Sequence, residues 1–321
     1  MPELDPLAAV HSELHLRSEM PFAQTDEQLQ TLLGISRHVD FGDGEHLYER
    51  GTPSDRVFML TSGVVEIVAE NRPMWRITNS GTIGFLDFMM GKPHGRTATS
   101  RGPTRVLEID AVVYLEYLQD NVEIIQNILS RLSGVLFEDM LGASPGQLVS
   151  RPDPTPAEIE SIFEADAFAL VDRLLLLSRV PAFAHASVQA LANLAHNARV
   201  ERFAPGAVIA TAGARTDRLS VLVRGAAELV RPGIAPIARG PIDLVCGVAE
   251  LSTAPRSVTA RATTESIVLQ FEHEELLDRI DEHFELAQSL LAHVALQREM
   301  LNDREAEAGH TELRPIAHPS L

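Results

Sequence analysis

The sequence predicts an α+β protein made of two tandem β-roll (jelly-roll-like) domains, each flanked by helices and each followed by a long helix. Its 321 residues exceed the usual size of one domain and suit two. Residues 41–68 match residues 203–230 at a constant offset of 162 positions, without a gap. Within each copy, apolar and polar residues alternate between glycines, which is typical of short strands joined by tight turns. We therefore expect one fold to occur twice.

The two copies share turn residues as well as strand residues. The identical pairs are Phe41/Phe203, Gly44/Gly206, Gly51/Gly213, Asp55/Asp217, Arg56/Arg218, Gly63/Gly225, Glu66/Glu228 and Val68/Val230. Glycine at a turn permits a positive φ, so the shared glycines predict the same turns in both copies. Because residues alternate between the two faces of a strand, Glu66 and Glu228 are expected on the solvent side.

Helical periodicity brackets each copy and sets the expected domain limits. It precedes the copies at residues 27–36 and 188–196 and follows them at 112–140 and 273–302. A stretch rich in Pro, Gly and Ser separates the copies, and a charged segment with two prolines ends the chain. We expect an N-terminal helical extension over 1–23, a first domain over 24–141, a linker over 142–160, a second domain with a leading helix over 161–302 and a disordered tail over 303–321.

Composition excludes several classes of protein. The chain has 27 Lys and Arg against 45 Asp and Glu, a net charge of −18, and this field repels nucleic acid. Cys246 is the only cysteine, which excludes an internal disulfide or a cysteine-based metal cluster and fits a reducing cytoplasm. No apolar run approaches the roughly 18 residues of a membrane span. The first residues mix acidic and apolar side chains and do not form a signal peptide.

The glycine framework of both copies, F-x-x-G, then G-x-x-x-D, then G-x-x-E, resembles that of the cyclic nucleotide-binding domains of bacterial cAMP receptors, kinase regulatory subunits and gated channels. The resemblance covers residues 24–140 and 183–300. It implies a phosphate-binding cassette, usually F-G-E-L-A followed by P-R-A-A-T, in each copy. Such a cassette offers helix N-terminal amides and an arginine fork to a cyclic phosphate, and its Glu accepts the ribose 2′-hydroxyl.

The cassette resemblance names candidate ligand residues in both copies. The phosphate ligands are Arg96 and Arg256, each followed by a small hydroxyl residue, Thr97 and Ser257, and by a Thr three residues on. The cassette glycines are Gly84 and Gly247. The acids that follow them, Asp87 and Glu250, are candidates for the ribose contact.

Both copies depart from the family at the ribose position. The residues after the two glycines are Phe85 and Val248, and neither side chain accepts a hydroxyl hydrogen bond. Asp87 and Glu250 therefore have an alternative interpretation as acids in the first turn of a helix, where the dipole favours them. The two arginines have a corresponding alternative as surface residues or partners of a nearby acid. Trp75, the only tryptophan, either covers a ligand or partner or packs between strands.

The resemblance implies a regulatory protein and no enzyme. A cyclic nucleotide, cAMP or a similar ligand, would move the helix after each roll and change contacts with a protein partner. The alternative is a degenerate pair that binds no nucleotide and serves as a scaffold for interaction or dimerisation. The long helices make a homodimer plausible. About twenty residues after Asn302 leave no room for a helix-turn-helix. We expect no metal, no nucleic acid and no membrane partner.

Overall fold

The computed structural model describes residues 25–78, 81–142, 169–215, 217–252 and 254–312. Within them the chain forms two compact units. The first runs to Ile125 and includes the residues from Arg298 onward, and the second runs from Gln126 to Gln297. The predicted extension over 1–23 lies outside the described residues, as does the predicted linker over 142–160 apart from Gly142. The predicted domain limits stay predictions.

The first unit is a roll of two four-stranded antiparallel sheets. Its elements are α1 (Asp26–Gly34), β1 (Ser36–Phe41), β2 (His46–Tyr48), β3 (Arg56–Ser62), β4 (Val64–Val68), β5 (Trp75–Thr78), β6 (Gly81–Ile83), α2 (Phe85–Met89), β7 (Thr97–Ser100), β8 (Thr104–Asp110), α3 (Ala111–Asp120) and the start of α4 (Val122–Gly142). The strand orders are β1-β8-β3-β6 and β2-β7-β4-β5.

The second unit repeats this architecture. After the rest of α4 come α5 (Leu170–Leu177), a short 3-10 turn (Pro181–Phe183), α6 (Val188–Asn197), β9 (Arg199–Phe203), β10 (Val208–Ala210), β11 (Arg218–Arg224), β12 (Ala227–Arg231), β13 (Ile234–Arg239), a 3-10 helix (Gly247–Leu251), β14 (Thr259–Ala262), β15 (Ser266–Glu272), α7 (His273–Glu282) and α8 (Phe284–Glu307). The strand orders are β11-β15-β9 and β10-β14-β12-β13. The predicted α+β class, two tandem rolls with flanking helices, is confirmed.

Capping residues explain where helices of the first unit begin. The Thr25 hydroxyl accepts the Gln28 N–H at 3.1 Å, and the Gln28 side chain accepts the Thr25 N–H at 3.3 Å, a capping box that starts α1. The Asp110 carboxylate accepts the N–H groups of Val112 and Val113 and starts α3 directly after β8. The helix that follows the first roll is therefore attached to the last strand without a loop.

The interior of the first roll is an apolar cluster with an acidic residue at its margin. Leu60, Val65 and Ala98 are fully buried in this cluster, and burial of such a Leu or Val stabilises by about 1.5–3 kcal/mol. The expectation that Glu66 faces solvent is wrong, because its carboxylate is buried between two guanidinium groups, those of Arg76 at 2.6 Å and Arg101 at 2.5 Å. These hydrogen bonds hold the pKa of Glu66 below its ordinary value.

The segment from residue 303, expected to be disordered, is ordered as far as residue 312 in the first unit. Its first residues complete the last turn of α8, and Ala306 is buried in the apolar cluster of the roll. Gly309, with φ of +91°, ends the helix. The chain then lies beside β5, where the Arg76 N–H donates to the Thr311 carbonyl at 2.8 Å. A polar composition predicted disorder, but one buried alanine and these hydrogen bonds fix the segment.

No helix among the described residues is both long enough and apolar enough to cross a membrane.

Two matched glycines make the tightest turns of the rolls. Gly63 and Gly225 have φ of +101° and +91°. A Cβ on Gly63 would lie 2.7 Å from the Pro103 carbonyl oxygen, and one on Gly225 would overlap the Glu265 carbonyl oxygen. Only glycine meets both the positive φ and the close approach of the main chain.

We predict that Gly63→Ala and Gly225→Ala each lower the free energy of unfolding of their own domain by about 2–4 kcal/mol. The reason is that alanine is strained at a positive φ and its Cβ would also clash with a main-chain carbonyl oxygen. Gly44→Ala and Gly206→Ala are the matched controls, since both positions have positive φ and open space within 4 Å. Their expected loss is about 1 kcal/mol. Urea denaturation measures all four, and equal losses at the four positions would contradict the steric argument.

Candidate ligand site

The cassette of the first unit begins at a glycine that no other residue can replace. Gly84 lies between β6 and α2 with φ of +85°, and a Cβ there would lie 2.8 Å from the Arg56 carbonyl oxygen and 3.4 Å from His94 Cε1. The next residue, Phe85, is buried at 8% exposure. The position of the family's ribose acid therefore holds an apolar side chain that faces the interior.

Strand register determines which cassette residues match between the two units. Thr97 of β7 pairs with Val68 of β4, and Thr259 of β14 pairs with Val230 of β12. Val68 and Val230 are matched positions of the repeat, so Thr97 and Thr259 match as well, at the same offset of 162. The offset of 162 thus holds again at the strand that follows the cassette.

Arg96 and Arg256 consequently do not occupy equivalent positions. Arg256 matches His94: the His94 carbonyl accepts the Gly51 N–H and the Arg256 carbonyl accepts the Gly213 N–H, both at 2.8 Å. The P-R-x-x-T stretch of the second unit thus corresponds to P-H-G-R-T in the first. The shared Arg-x-x-Thr pattern had paired residues that lie two positions apart in the fold.

The side chain of Arg96 lies between an aromatic ring and a carboxylate. Its guanidinium carbon is 3.7 Å from the centroid of the Trp75 ring. Nη1 donates to the Pro73 carbonyl at 2.7 Å, and Nη2 donates to the Asp303 carboxylate. Arg96 is only 3% exposed, so its charge is almost completely removed from water.

The electrostatics of Arg96 depend on Asp303. Burial lowers the pKa of the Arg96 guanidinium, and the negative charge of Asp303 opposes that effect. Arg72 lies close enough to lower the Arg96 pKa further. A buried cation of this kind is costly unless an anion accompanies it. The Nε–H of Arg96 is also buried, and it has no acceptor in the described part of the chain.

Asp87 and Thr97 have local partners in the first unit. Asp87 lies 3.2 Å from Nδ1 of His94, whose ring stacks on Tyr48 with centroids 3.6 Å apart. Burial, assisted by the charge of Asp87, raises the pKa of Tyr48. The Thr97 hydroxyl accepts the Arg50 N–H at 3.0 Å. The structure therefore places Asp87 beside the cassette histidine.

Arg256 of the second unit donates to its own neighbouring main chain. Nη1 donates to the Arg215 carbonyl at 3.1 Å and Nη2 to the Arg218 carbonyl at 3.0 Å. Its side chain is 7% exposed, and the Asp217 carboxylate lies 3.8 Å away. The neighbouring Ser257 is half-buried. Both arms of the guanidinium fork thus have neutral acceptors in place.

Glu250 is fully buried in the second unit. One carboxylate oxygen accepts the Ser220 N–H and the other accepts the Cys246 N–H at 3.0 Å. Burial raises the pKa of Glu250 to about 7, although the two N–H donors and Arg256 oppose the shift. Val248, two residues before Glu250, is buried at 3% exposure, and Gly247 begins the 3-10 helix. Glu250 therefore bonds main-chain groups on both sides.

A family model for the cyclic nucleotide-binding domain matches residues 38–121 and 200–283, which together make up more than half of the chain. The chain belongs to the cyclic nucleotide-binding domain family. The two matched ranges coincide with the two rolls, so the chain carries this domain twice.

Several solved structures are similar to this chain. The regulatory domain of Toxoplasma gondii PKA with cAMP has 17% identity and a TM-score of 0.34, over 90% of this chain and 97% of that one. The regulatory subunit of a cAMP-independent protein kinase A from Trypanosoma brucei has 15% identity and a TM-score of 0.33, over 87% and 89%. The N-terminal domain of a transcriptional regulator from Streptomyces coelicolor has 28% identity and a TM-score of 0.36, over 40% and 95%.

Three residues near the cassette of the first cyclic nucleotide-binding domain were not found from the sequence. His94 was detectable, because Pro93 and Pro255 are separated by the repeat offset of 162. Arg72 and Asp303 carried no local signal, since they are 231 positions apart and meet only in the fold. Trp75 packs in the apolar cluster of the roll, where it is 5% exposed and its ring faces Arg96; a role in covering a ligand or partner stays a prediction.

Within the described ranges, no group of three or more His, Cys, Asp or Glu side chains could hold a metal ion. Cys246 is a free and buried cysteine of the second cyclic nucleotide-binding domain. Burial raises the pKa of its thiol.

We predict that Glu250 makes the second cyclic nucleotide-binding domain less stable as pH rises. Between pH 4.5 and 7 the unfolded chain releases the Glu250 proton while the folded domain retains it, because the folded pKa is about 7 against an ordinary 4.5. The stability contribution is complete below pH 4.5 and lost near pH 7, a change of about 3 kcal/mol.

Glu250→Gln removes this titration, so its free energy of unfolding is expected to change less with pH than that of the wild type. Urea denaturation between pH 4.5 and 8 measures both slopes. Glu265→Gln is the matched control, because Glu265 is exposed in the same domain. Equal slopes for wild type and Glu250→Gln would contradict the assignment.

Proposed function

We propose that the protein is a non-enzymatic regulator in which the first domain binds a small anionic ligand of the cyclic nucleotide class, cAMP or a similar molecule, at Arg96. The observation that carries the proposal concerns the buried Arg96 guanidinium. It lies over the Trp75 ring and pairs with a carboxylate. A guanidinium that already pairs with a carboxylate through Nη2 also suits a phosphate. Trp75 offers the same anion an indole N–H, which now donates to Asp303 at 3.1 Å.

The remaining candidates fit this site to different degrees. Gly84 brings the main chain close to the His94 ring. Thr97, directly after Arg96, is the first residue of β7. Asp87 is a candidate for the ribose contact only if it leaves His94. In the second domain, Gly247, Glu250, Arg256 and Ser257 stay candidates, but a ligand there must displace the main-chain partners of Arg256 and Glu250. We therefore place the sensing function in the first domain.

A direct contact links the cassette of the first domain to the helix that follows the roll. The ring of Phe85, in α2, packs edge to face on Tyr114, in α3, with centroids 5.9 Å apart. Tyr114 is buried, and neighbouring Tyr117 donates to the Gln28 carbonyl at 3.0 Å. Movement of α2 on ligand binding would shift Phe85 against Tyr114 and so reposition α3. The proposed output is a changed contact between these helices and a protein partner, with a cytoplasmic location.

The second candidate function is a scaffold that binds no nucleotide. It is favoured by the main-chain bonds of Glu250 and by the buried apolar residues Phe85 and Val248, which directly follow the two cassette glycines. In this case the long helices α4 and α8 would supply a surface for a homodimer or another protein. The two functions differ in one measurable property, the binding of a cyclic nucleotide.

We predict that saturating cAMP or cGMP raises the melting temperature of the first domain. A ligand at one hundred times its Kd adds about 2.7 kcal/mol, which corresponds to about 5–10 °C for a domain of this size. Arg96→Lys keeps the charge but loses the fork and should abolish the shift. Arg256→Lys should leave it intact. Differential scanning calorimetry of the full chain measures both.

Arg105→Lys is the matched control, because Arg105 is exposed and its side chain pairs with Asp40 of the neighbouring strand, away from the proposed site. If no cyclic nucleotide shifts the melting temperature, the scaffold function is favoured. In that case light scattering of the full chain is expected to give the mass of a dimer. A shift that survives Arg96→Lys but not Arg256→Lys would place the ligand in the second domain and contradict our assignment.

A further inference from the structure

We infer that residues 298–312 act as an intramolecular competitor for the ligand site of the first domain, with Asp303 in the place of the anionic ligand. The inference rests on the proposed function, because the site in question is the one at Arg96. It adds a mode of regulation: the ligand binds only when the segment leaves, and the segment binds only when the site is empty.

The Asp303 carboxylate accepts hydrogen bonds from three donors of the first domain. Oδ1 accepts from Arg96 Nη2 and from Trp75 Nε1, and Oδ2 accepts from Arg72 Nη2 at 2.6 Å. Two guanidinium groups and an indole thus converge on one carboxylate that is 17% exposed. This set of donors is what an anionic ligand would require, so Asp303 and such a ligand exclude each other.

A second carboxylate strengthens the docking. Glu299 lies one helical turn before Asp303 on the same face of α8, and its Oε1 accepts from Arg72 Nη1 at 2.8 Å. The nearby carboxylates of Glu299 and Asp303 raise the pKa of Arg72, although burial opposes them. Arg72 is 40% exposed, so this pair is screened by solvent and contributes less than the pair at Arg96.

Apolar and main-chain contacts, besides the ion pairs, attach residues 298–312 to the first domain. Ala306 is buried in the apolar cluster of the roll, and Gly309 turns the chain out of α8. Thr311 accepts the Arg76 N–H beside β5, at 2.8 Å. These contacts hold residues 298–312 on the first domain, and the proposed competition requires a ligand to break them.

The chemistry of Arg96 gives a phosphate an advantage over Asp303. The Arg96 Nε–H is buried and has no acceptor in the described ranges, since the carboxylate engages only Nη2. A phosphate carries more acceptor oxygens than a carboxylate and can bond Nε and Nη2 together. If a phosphate displaced Asp303, the Arg96 Nε–H would therefore gain the acceptor that it lacks while Asp303 is bound.

The test uses the full chain and the variant Asp303→Asn, which keeps the shape of the side chain and removes its charge. The variant weakens the competitor, because Asn lacks the charge that strengthens the hydrogen bonds of Asp303 to Arg72 and Arg96. The affinity for cAMP or cGMP is therefore expected to rise about tenfold to a hundredfold. Glu307→Gln is the matched control, because Glu307 is an exposed acid of the same helix. Calorimetric titration gives the affinities. The emission of Trp75, the only tryptophan, reports on the site itself.

Hydrogen exchange provides the readout that a merely structural role for Asp303 would not change. Saturating nucleotide should increase amide exchange over residues 298–312 in the wild type, and Arg96→Lys should prevent that increase. Nucleotide that binds through Arg96 without any change in exchange over 298–312 would overturn the inference, and so would equal affinities for wild type and Asp303→Asn.

A further arm separates failure of the inference from failure of the proposed function. Sulfate, compared with chloride at equal ionic strength, serves as an anion probe that needs no ribose or base contact. If no cyclic nucleotide binds wild type or Asp303→Asn, the proposed function is wrong. Increased exchange over 298–312 in sulfate would then still support the competition, and unchanged exchange in sulfate would overturn it.

Discussion

The carboxylate of Asp303 is the counter-charge of Arg96, the buried arginine at the proposed ligand site of the first domain. The roll buries the guanidinium of Arg96 almost completely, and burial of a cation without an anion is strongly unfavourable. Trp75 stabilises the flat face of the guanidinium, but an aromatic ring does not neutralise a charge. The carboxylate of Asp303 therefore stabilises the buried charge of Arg96.

This requirement explains why the segment after the second roll is ordered. Its composition is polar, and alone it would not bury enough apolar surface to offset its conformational entropy. It gains order from a pre-existing pair of cations, Arg72 and Arg96, and from one apolar contact through Ala306. Order in residues 303–312 is thus a property of the roll that receives them and not of their own sequence.

The fold could be predicted from the sequence because it rests on local patterns that occur twice. Glycine turns and alternating strands follow the offset of 162, and β3 and β11 keep it residue for residue. The site was predicted less well. The Arg-x-x-Thr match paired Arg96 with Arg256 and so missed His94, although Pro93 and Pro255, directly before His94 and Arg256, are separated by the offset of 162. Asp303 was out of reach of any local pattern, because its partners lie more than two hundred positions away and only the folded chain brings them together.

The buried cassette arginines of the two domains have different kinds of hydrogen-bond acceptor. Arg256 donates to the carbonyl oxygens of Arg215, in the loop before β11, and of Arg218, the first residue of β11, so both acceptors belong to the roll itself. The anion that accompanies Arg96 comes from a distant segment, and the proposed competition requires this pairing to open while the roll stays folded. Glu250, buried between two main-chain N–H groups, fixes the second cassette further. The proposed competition depends on this asymmetry between neutral acceptors at Arg256 and a carboxylate at Arg96, because only an arginine with an exchangeable partner has two states whose populations a ligand can shift.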